Sequence, residues 1–187
     1  AGVAGIQIED QQFPKKCGHL NDKRIVPIED MCRKVAAARR ASRDIVVCAR
    51  TDAAAGSLDD AIDRARAYAE AGADVIFVEA LTSDDHFRTV RDRVSAPLLA
   101  NMTEFGRTPQ TSLARFSEYG FELVIYPVSA FRVAARAMEE FYGSLRENGS
   151  AEPYLDRMMS RRELYEVIRY YDYEALDEQI ARTILTD

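Results

Sequence analysis

The chain has 187 residues, of which 47% are apolar, 30% charged and 9% aromatic, and its 25 Lys+Arg against 31 Asp+Glu leave a net charge of −6. That balance excludes a disordered tail and a broad basic face for nucleic acid, and no apolar run approaches the ~20 residues of a membrane span. Three cysteines at uneven spacing do not describe a disulfide framework and suit a reducing cytoplasm.

Short apolar runs alternate with longer helical patterns. The spacing predicts strands at Val3–Ile8, Ile45–Ala49, Asp74–Val78, Pro97–Ala100 and Leu123–Tyr126. It predicts helices at Ile28–Ala41, Leu58–Ala71, Asp84–Val94, Gln110–Tyr119 and Ala130–Asn148. Strict β/α alternation with near-continuous apolar strands means a parallel sheet covered by helices. Two further helices are expected at Ser160–Tyr171 and Tyr173–Leu185, with an aromatic stripe at Tyr165, Tyr170, Tyr171 and Tyr173.

One internal repeat stands out. Ala71-Gly72-Ala73-Asp74-Val75-Ile76-Phe77-Val78-Glu79 superposes without gaps on Ala1-Gly2-Val3-Ala4-Gly5-Ile6-Gln7-Ile8-Glu9. In the later copy Ala-Gly closes a helix, so the parallel predicts that Ala1-Gly2 closes one too and that the chain begins in mid-fold. There is no Gly-rich phosphate loop of the kind that opens a doubly wound sheet. The expected fold is therefore α/β, a (β/α)8 barrel of which five βα units are present in residues 1–149 and three are absent. A helical extension is expected in residues 150–187.

Parallel βα folds gather chemistry at the C-terminal ends of their strands. Those positions hold Glu9-Asp10, Arg50-Thr51-Asp52, Glu79, Asn101 with Thr103-Glu104, and Ser129 with Arg132. One charged strand end is an ordinary loop start; five around one rim point to an anionic, multi-carboxylate ligand beside a hard cation. The first strand feeds a long loop containing Lys15-Lys16-Cys17-Gly18-His19. Positive charge on both sides of a thiol stabilises an anion there, and Gly18 permits close backbone approach. A lone cysteine is most often a small buried filler, which suits Cys32 and Cys48. With only His19 and His86, and no Cys-x-x-Cys pair, a zinc site is not expected. His86, among acidic and basic neighbours, reads as a surface residue.

These residues resemble the signature of the isocitrate lyase/phosphoenolpyruvate mutase superfamily. The likeness rests on Ile8-Glu9-Asp10-Gln11 followed by Lys15–His19, on Ala49-Arg50-Thr51-Asp52-Ala53, on Leu99–Glu104 and on Ile125–Arg132, with Ser160–Glu166 extending it. It is strongest to the members that cleave 2-methylisocitrate to pyruvate and succinate with Mg²⁺.

The resemblance implies a homotetramer with C-terminal helices swapped between subunits, and roles position by position. Cys17 is implied as the acid that protonates the departing carbanion, with Gly18 touching substrate and His19 supporting the loop. Arg50, Arg132 and Arg161 would clamp carboxylates, and Glu79 with Asn101, Met102 and Thr103 would line the substrate site. Glu9 would orient water on the metal, whose principal aspartate ligands this chain lacks, so that the chain alone is expected to be inactive. Competing readings are a carboxyphosphonoenolpyruvate mutase-like enzyme, a dimethylmalate-type lyase, and a non-catalytic truncated subunit.

Overall fold

A computed structural model describes residues 2–18, 20 and 22–181, the last by its backbone alone. His19 and the expected end of the last helix, near Leu185, lie outside the described residues. The chain divides into two units, Ala1–Phe131 and Arg132–Asp187.

The first unit is built on five parallel strands: β1 (Gly5–Glu9), β2 (Val46–Thr51), β3 (Val75–Val78), β4 (Leu98–Asn101) and β5 (Leu123–Ile125). Their spatial order is their chain order, each pairing only with its sequence neighbours. A doubly wound sheet reverses direction part-way; this one never does, which is the progression of a barrel wall. Between the strands run α1 (Ile28–Ala41), α2 (Leu58–Glu70), α3 (Asp84–Arg93) and the short α4 (Leu113–Glu118).

Serines set the starts of three of these helices. The side chains of Ser57, Ser83 and Ser112 accept the backbone N–H of Asp60, His86 and Arg115, each satisfying one orphan donor of the first turn. The expected helix at Gln110–Tyr119 starts later than the pattern suggested because Ser112 caps it. The repeat is visible in the backbone: Gly2 (φ +73°) and Gly72 (φ +113°) both take the left-handed conformation, which costs a residue without Cβ little.

Alternation along the strands separates two faces. Val47, Ala49, Ile76, Val78, Leu98 and Ala100 pack with Met31, Ile62, Tyr68 and Phe87 of the helices in the main core. The opposite face carries Cys48, Val75, Phe77 and Leu99 as a small apolar cluster, capped at the C-terminal edge by polar groups. Strand β2 runs two residues beyond its expected end, so Arg50 is a strand residue held in register opposite Glu9 and Phe77. Cys48 is buried in the sheet, and the Cys32 thiol on α1 reaches the Ala67 carbonyl, 3.6 Å away. His86 is half-buried on the first turn of α3.

The helix α5 (Ser129–Asn148) leads into the second unit, followed by a 3₁₀ segment (Glu152–Arg157), α6 (Arg161–Val167) and α7 (Tyr170–Ala181). Here the expected break at Asp172 falls earlier, at Ile168–Arg169. Arg169 turns left-handed (φ +56°), and its side chain reaches forward to the Asp172 carboxylate at 2.7 Å, inside the first turn of α7. Ser160 and Glu163 form a reciprocal capping box at the start of α6. Three of the four tyrosines of the expected stripe meet: Tyr165 stacks on Tyr170 at 4.3 Å, with Tyr171 edge-on to both, while Tyr173 is exposed and joins no ring contact among the described residues. No helix among the described residues is long and apolar enough to cross a membrane.

Candidate active site

The C-terminal edge of the sheet is organised around Arg50. Its guanidinium grips Asp52 through Nε and Nη2, at 2.9 and 3.0 Å, and the same Nη2 reaches Glu79 Oε2 at 3.0 Å. Glu9 lies 3.6 Å from Nε, and the group sits 5.1 Å above the Phe77 ring. Strand register explains the stack, because Arg50 and Phe77 are direct partners on adjacent strands. Burial disfavours the charge, but the hydrogen bond to Asp52 and the charges of Glu79, Asp52 and Glu9 prevail and hold Arg50 protonated. These contacts use Nε and Nη2, so Nη1 has no protein partner among the described residues.

Burial also opposes ionisation of Asp52, and the Arg50 fork together with Lys23 outweighs it, so its carboxyl stays below the ordinary range. Glu79, 1% exposed, accepts from the Asn101 amide at 3.3 Å on both oxygens and from the Ala80 N–H at 2.9 Å. Ala80 has φ +60°, a conformation that costs an alanine ~1 kcal/mol and is kept where surrounding contacts over-determine it. Asn101 Oδ1 is buried with no partner among the described residues. An unsatisfied acceptor beside a carboxylate, at the open end of a sheet, is a group prepared for a ligand donor.

Beneath this layer lies a second network. Asp10, fully buried, accepts the Asp52 N–H at 3.0 Å, the Tyr68 hydroxyl at 2.9 Å and Arg64 Nη1 at 3.4 Å. Burial and the Asp10 charge both push the Tyr68 hydroxyl up, keeping it a donor.

The loop after β1 folds over the site. Its base is closed by a bridge between Gln11 and Ile25 and by the Gln12 N–H on the Arg24 carbonyl. The Gln11 side chain accepts the Lys16 N–H at 2.8 Å and donates to the Lys16 carbonyl at 2.9 Å. Lys15 pairs with Glu9 at 2.8 Å. Cys17 is exposed, and Gly18 is buried directly against the Arg50–Glu79 pair. A Cβ on Gly18 would lie 2.5 Å from Arg50 Nη2, so glycine is required by the close approach rather than by its dihedrals.

The structure thus brings together Glu9, Cys17, Gly18, Arg50, Glu79 and Asn101. Thr103 is buried just beyond β4. The Met102 side chain points the other way, into the helix-facing core, where its sulfur accepts the Thr111 N–H at 3.2 Å. Arg132 and Arg161 belong to the second unit, on α5 and at the first position of α6. Among the described residues no three His, Cys, Asp or Glu side chains gather as metal ligands; Glu9, Asp52 and Glu79 are engaged by Lys15, Lys23 and Arg50, and Glu104 accepts the Ser129 hydroxyl at 2.6 Å. Sequence reasoning marked Asp10 at the strand end and Gln11 in the signature without giving either a role, and it passed over Lys23, Arg64 and Tyr68. A buried arginine on α2, at Arg64, was the one periodicity signal that could have exposed the second network.

The family model described as phosphoenolpyruvate phosphomutase matches residues 1–146. The chain belongs to that family. Over its whole length it is 53% identical to the 2-methylisocitrate lyase of Bacillus subtilis, of which it covers 62%. Among solved structures it resembles a 2,3-dimethylmalate lyase of the PEP mutase/isocitrate lyase superfamily, with TM-score 0.86 and 38% identity over 96% of this chain and 61% of that one. It also resembles phosphonopyruvate hydrolase in complex with oxalate and Mg²⁺, with TM-score 0.79 and 28% identity over 97% of this chain and 64% of that one. The chain therefore spans about three-fifths of the length of these relatives.

Proposed function

We propose that this chain carries carbon–carbon lyase chemistry, the cleavage of 2-methylisocitrate to pyruvate and succinate. The observation that carries the reading is the seating of Gly18 directly against the Arg50–Glu79 pair, which brings the residue next to the exposed Cys17 thiol onto a guanidinium suited to a carboxylate. Loss of the substrate's hydroxyl proton to solvent lets the carbon–carbon bond break. The oxygen electrons form the pyruvate carbonyl and the bond pair leaves as a carbanion on the succinate half, whose proton Cys17 supplies as general acid. Arg50, oriented by Asp52 and Glu79, offers its free Nη1 edge to a substrate carboxylate. Asn101, held on Glu79, meets a substrate hydroxyl through its unsatisfied Oδ1. Arg132 and Arg161 take the remaining carboxylates, and Thr103 and the Met102 backbone complete the lining.

Magnesium dependence belongs to the same reading, supported by the Mg²⁺ complex of phosphonopyruvate hydrolase. The described carboxylates do not by themselves gather as a divalent-cation site, since Glu9, Asp52 and Glu79 are paired with Lys15, Lys23 and Arg50; by the resemblance, Glu9 would contribute through water. A homo-oligomer joined by the apolar side chains that α6 and α7 expose, working in the cytoplasm, completes the proposal.

The test is release of pyruvate from 2-methylisocitrate, with and without Mg²⁺, followed through a coupled dehydrogenase. Cys17→Ser should abolish turnover while leaving substrate binding within about threefold. Full activity in that variant overturns the acid role. The dimethylmalate-type reading, favoured by the 2,3-dimethylmalate lyase fold match, is separated by running 2,3-dimethylmalate in the same assay.

A further inference from the structure

We infer that Lys23 is the positioning residue for the thiol loop: its ammonium group ties the Gly18 carbonyl to the Asp52 carboxylate and so registers Cys17 to the same carboxylate that orients Arg50. The Lys23 side chain is only 5% exposed and lies 3.1 Å from Asp52 Oδ1, itself fully buried. The same nitrogen donates to the Gly18 carbonyl. A buried ammonium is stable only when paired and hydrogen-bonded, and these two acceptors, one on the loop and one at the end of β2, meet that requirement.

The other tethers of the loop do not perform this task. Gln11 fixes Lys16 and the Gln11–Ile25 bridge closes the base, but both act on the stem. Lys15 reaches Glu9 with a side chain half in solvent, and such pairs contribute little. Between Lys16 and Lys23, the hydrogen bonds of the Cys17–Gly18 segment among the described residues are the Lys23 ammonium on the Gly18 carbonyl and a turn in which the Leu20 N–H bonds the Cys17 carbonyl at 2.9 Å. Arg50 Nη2 and Lys23 Nζ share one oxygen of Asp52, Oδ1, at 3.0 and 3.1 Å. One carboxylate therefore sets both the guanidinium that would meet the substrate and the carbonyl next to the thiol.

The inference deepens the lyase reading and rests on it for its kinetic consequence alone. The experiment uses Lys23→Met, which removes charge and donors, and Lys23→Arg, which keeps both. Amide hydrogen exchange is read by mass spectrometry in the full chain. In Lys23→Met, exchange across residues 12–23 should rise about tenfold or more while β2 stays protected, and Lys23→Arg should restore most of the protection. With 2-methylisocitrate as the probe, kcat should fall at least ~tenfold in Lys23→Met with KM changed less than ~threefold.

Unchanged loop exchange in Lys23→Met overturns the positioning role, and so does an equal rise in β2, which would make Lys23 a general prop of the fold. Loop exchange that rises in a protein without wild-type lyase activity keeps the positioning role and overturns the lyase reading instead. Should Lys23→Met fail to fold, Lys23→Gln, uncharged but polar, is read by the same exchange criteria.

Discussion

Asp10 and Asp52, 42 residues apart, are joined by a hydrogen bond from the main-chain N–H of the latter to the carboxylate of the former at 3.0 Å. The end of β1 thereby fixes the residue that fixes Arg50. Removing Asp10 frees that N–H and leaves Arg64 facing Tyr68 and Asp60 without its buried counter-charge. Asp10→Ala should cost ~3 kcal/mol in urea unfolding, the range for breaking a buried pair. Tyr68→Phe, which deletes one neutral donor, should cost ~1 kcal/mol. Equal costs for the two would mean that the charge of Asp10 contributes nothing.

Gly18→Ala places a methyl group against the Arg50–Glu79 pair. The loop has to lift, because both neighbours are themselves anchored. Turnover should fall by ~100-fold, as displacements of about an ångström at a catalytic group do, with the unfolding midpoint almost unchanged since the loop lies outside the core. A parallel loss of stability would show instead that the loop is part of the cooperative unit.

The carboxyl of Asp52 is held below its ordinary value of 3.8: burial resists the charge, and Arg50 and Lys23 more than offset it. A depressed carboxyl stabilises the fold in full above the unfolded-chain value, and that contribution disappears as pH falls from there through the lower folded value. Asp52→Asn should therefore be ~3 kcal/mol less stable than wild type at pH 7, and the gap should narrow only below about pH 4. Thermal melts from pH 7 to pH 3 would read this, and a gap independent of pH would remove the ion pairs from the explanation.

Burial pushes the Cys48 thiol up to about 11. Burial, and then the charge of Glu29, also raise Cys32. Both stay protonated at pH 8, whereas Cys17 is exposed. Iodoacetamide at pH 8 should label Cys17 first, with one adduct per chain before denaturation and three after. Early labelling of Cys48 would mean that the sheet opens locally.

The barrel wall was legible because every strand is an apolar run with a helix between it and the next, and the rim was legible because polar residues follow those runs immediately. Register, by contrast, was not. Arg50 became a strand residue stacked on Phe77 only when two more residues of β2 joined the ladder, and Met102 turned into the core because alternation sends it opposite Asn101. Lys23 had no signal at all, lying in a loop without periodicity, and its role depends on a carboxylate 29 residues away. The break before α7 was misplaced for a related reason, since a left-handed arginine, rather than a glycine or proline, makes it.

Strand order that follows chain order has a kinetic side. The strands of each ladder are joined across 22 to 41 residues of chain, so no pairing has to wait for a distant segment to be synthesised. Each βα unit can dock on the one before it as it leaves the ribosome, which keeps loop-closure entropy small at every step and shortens the time for which any nascent edge stands open to aggregation.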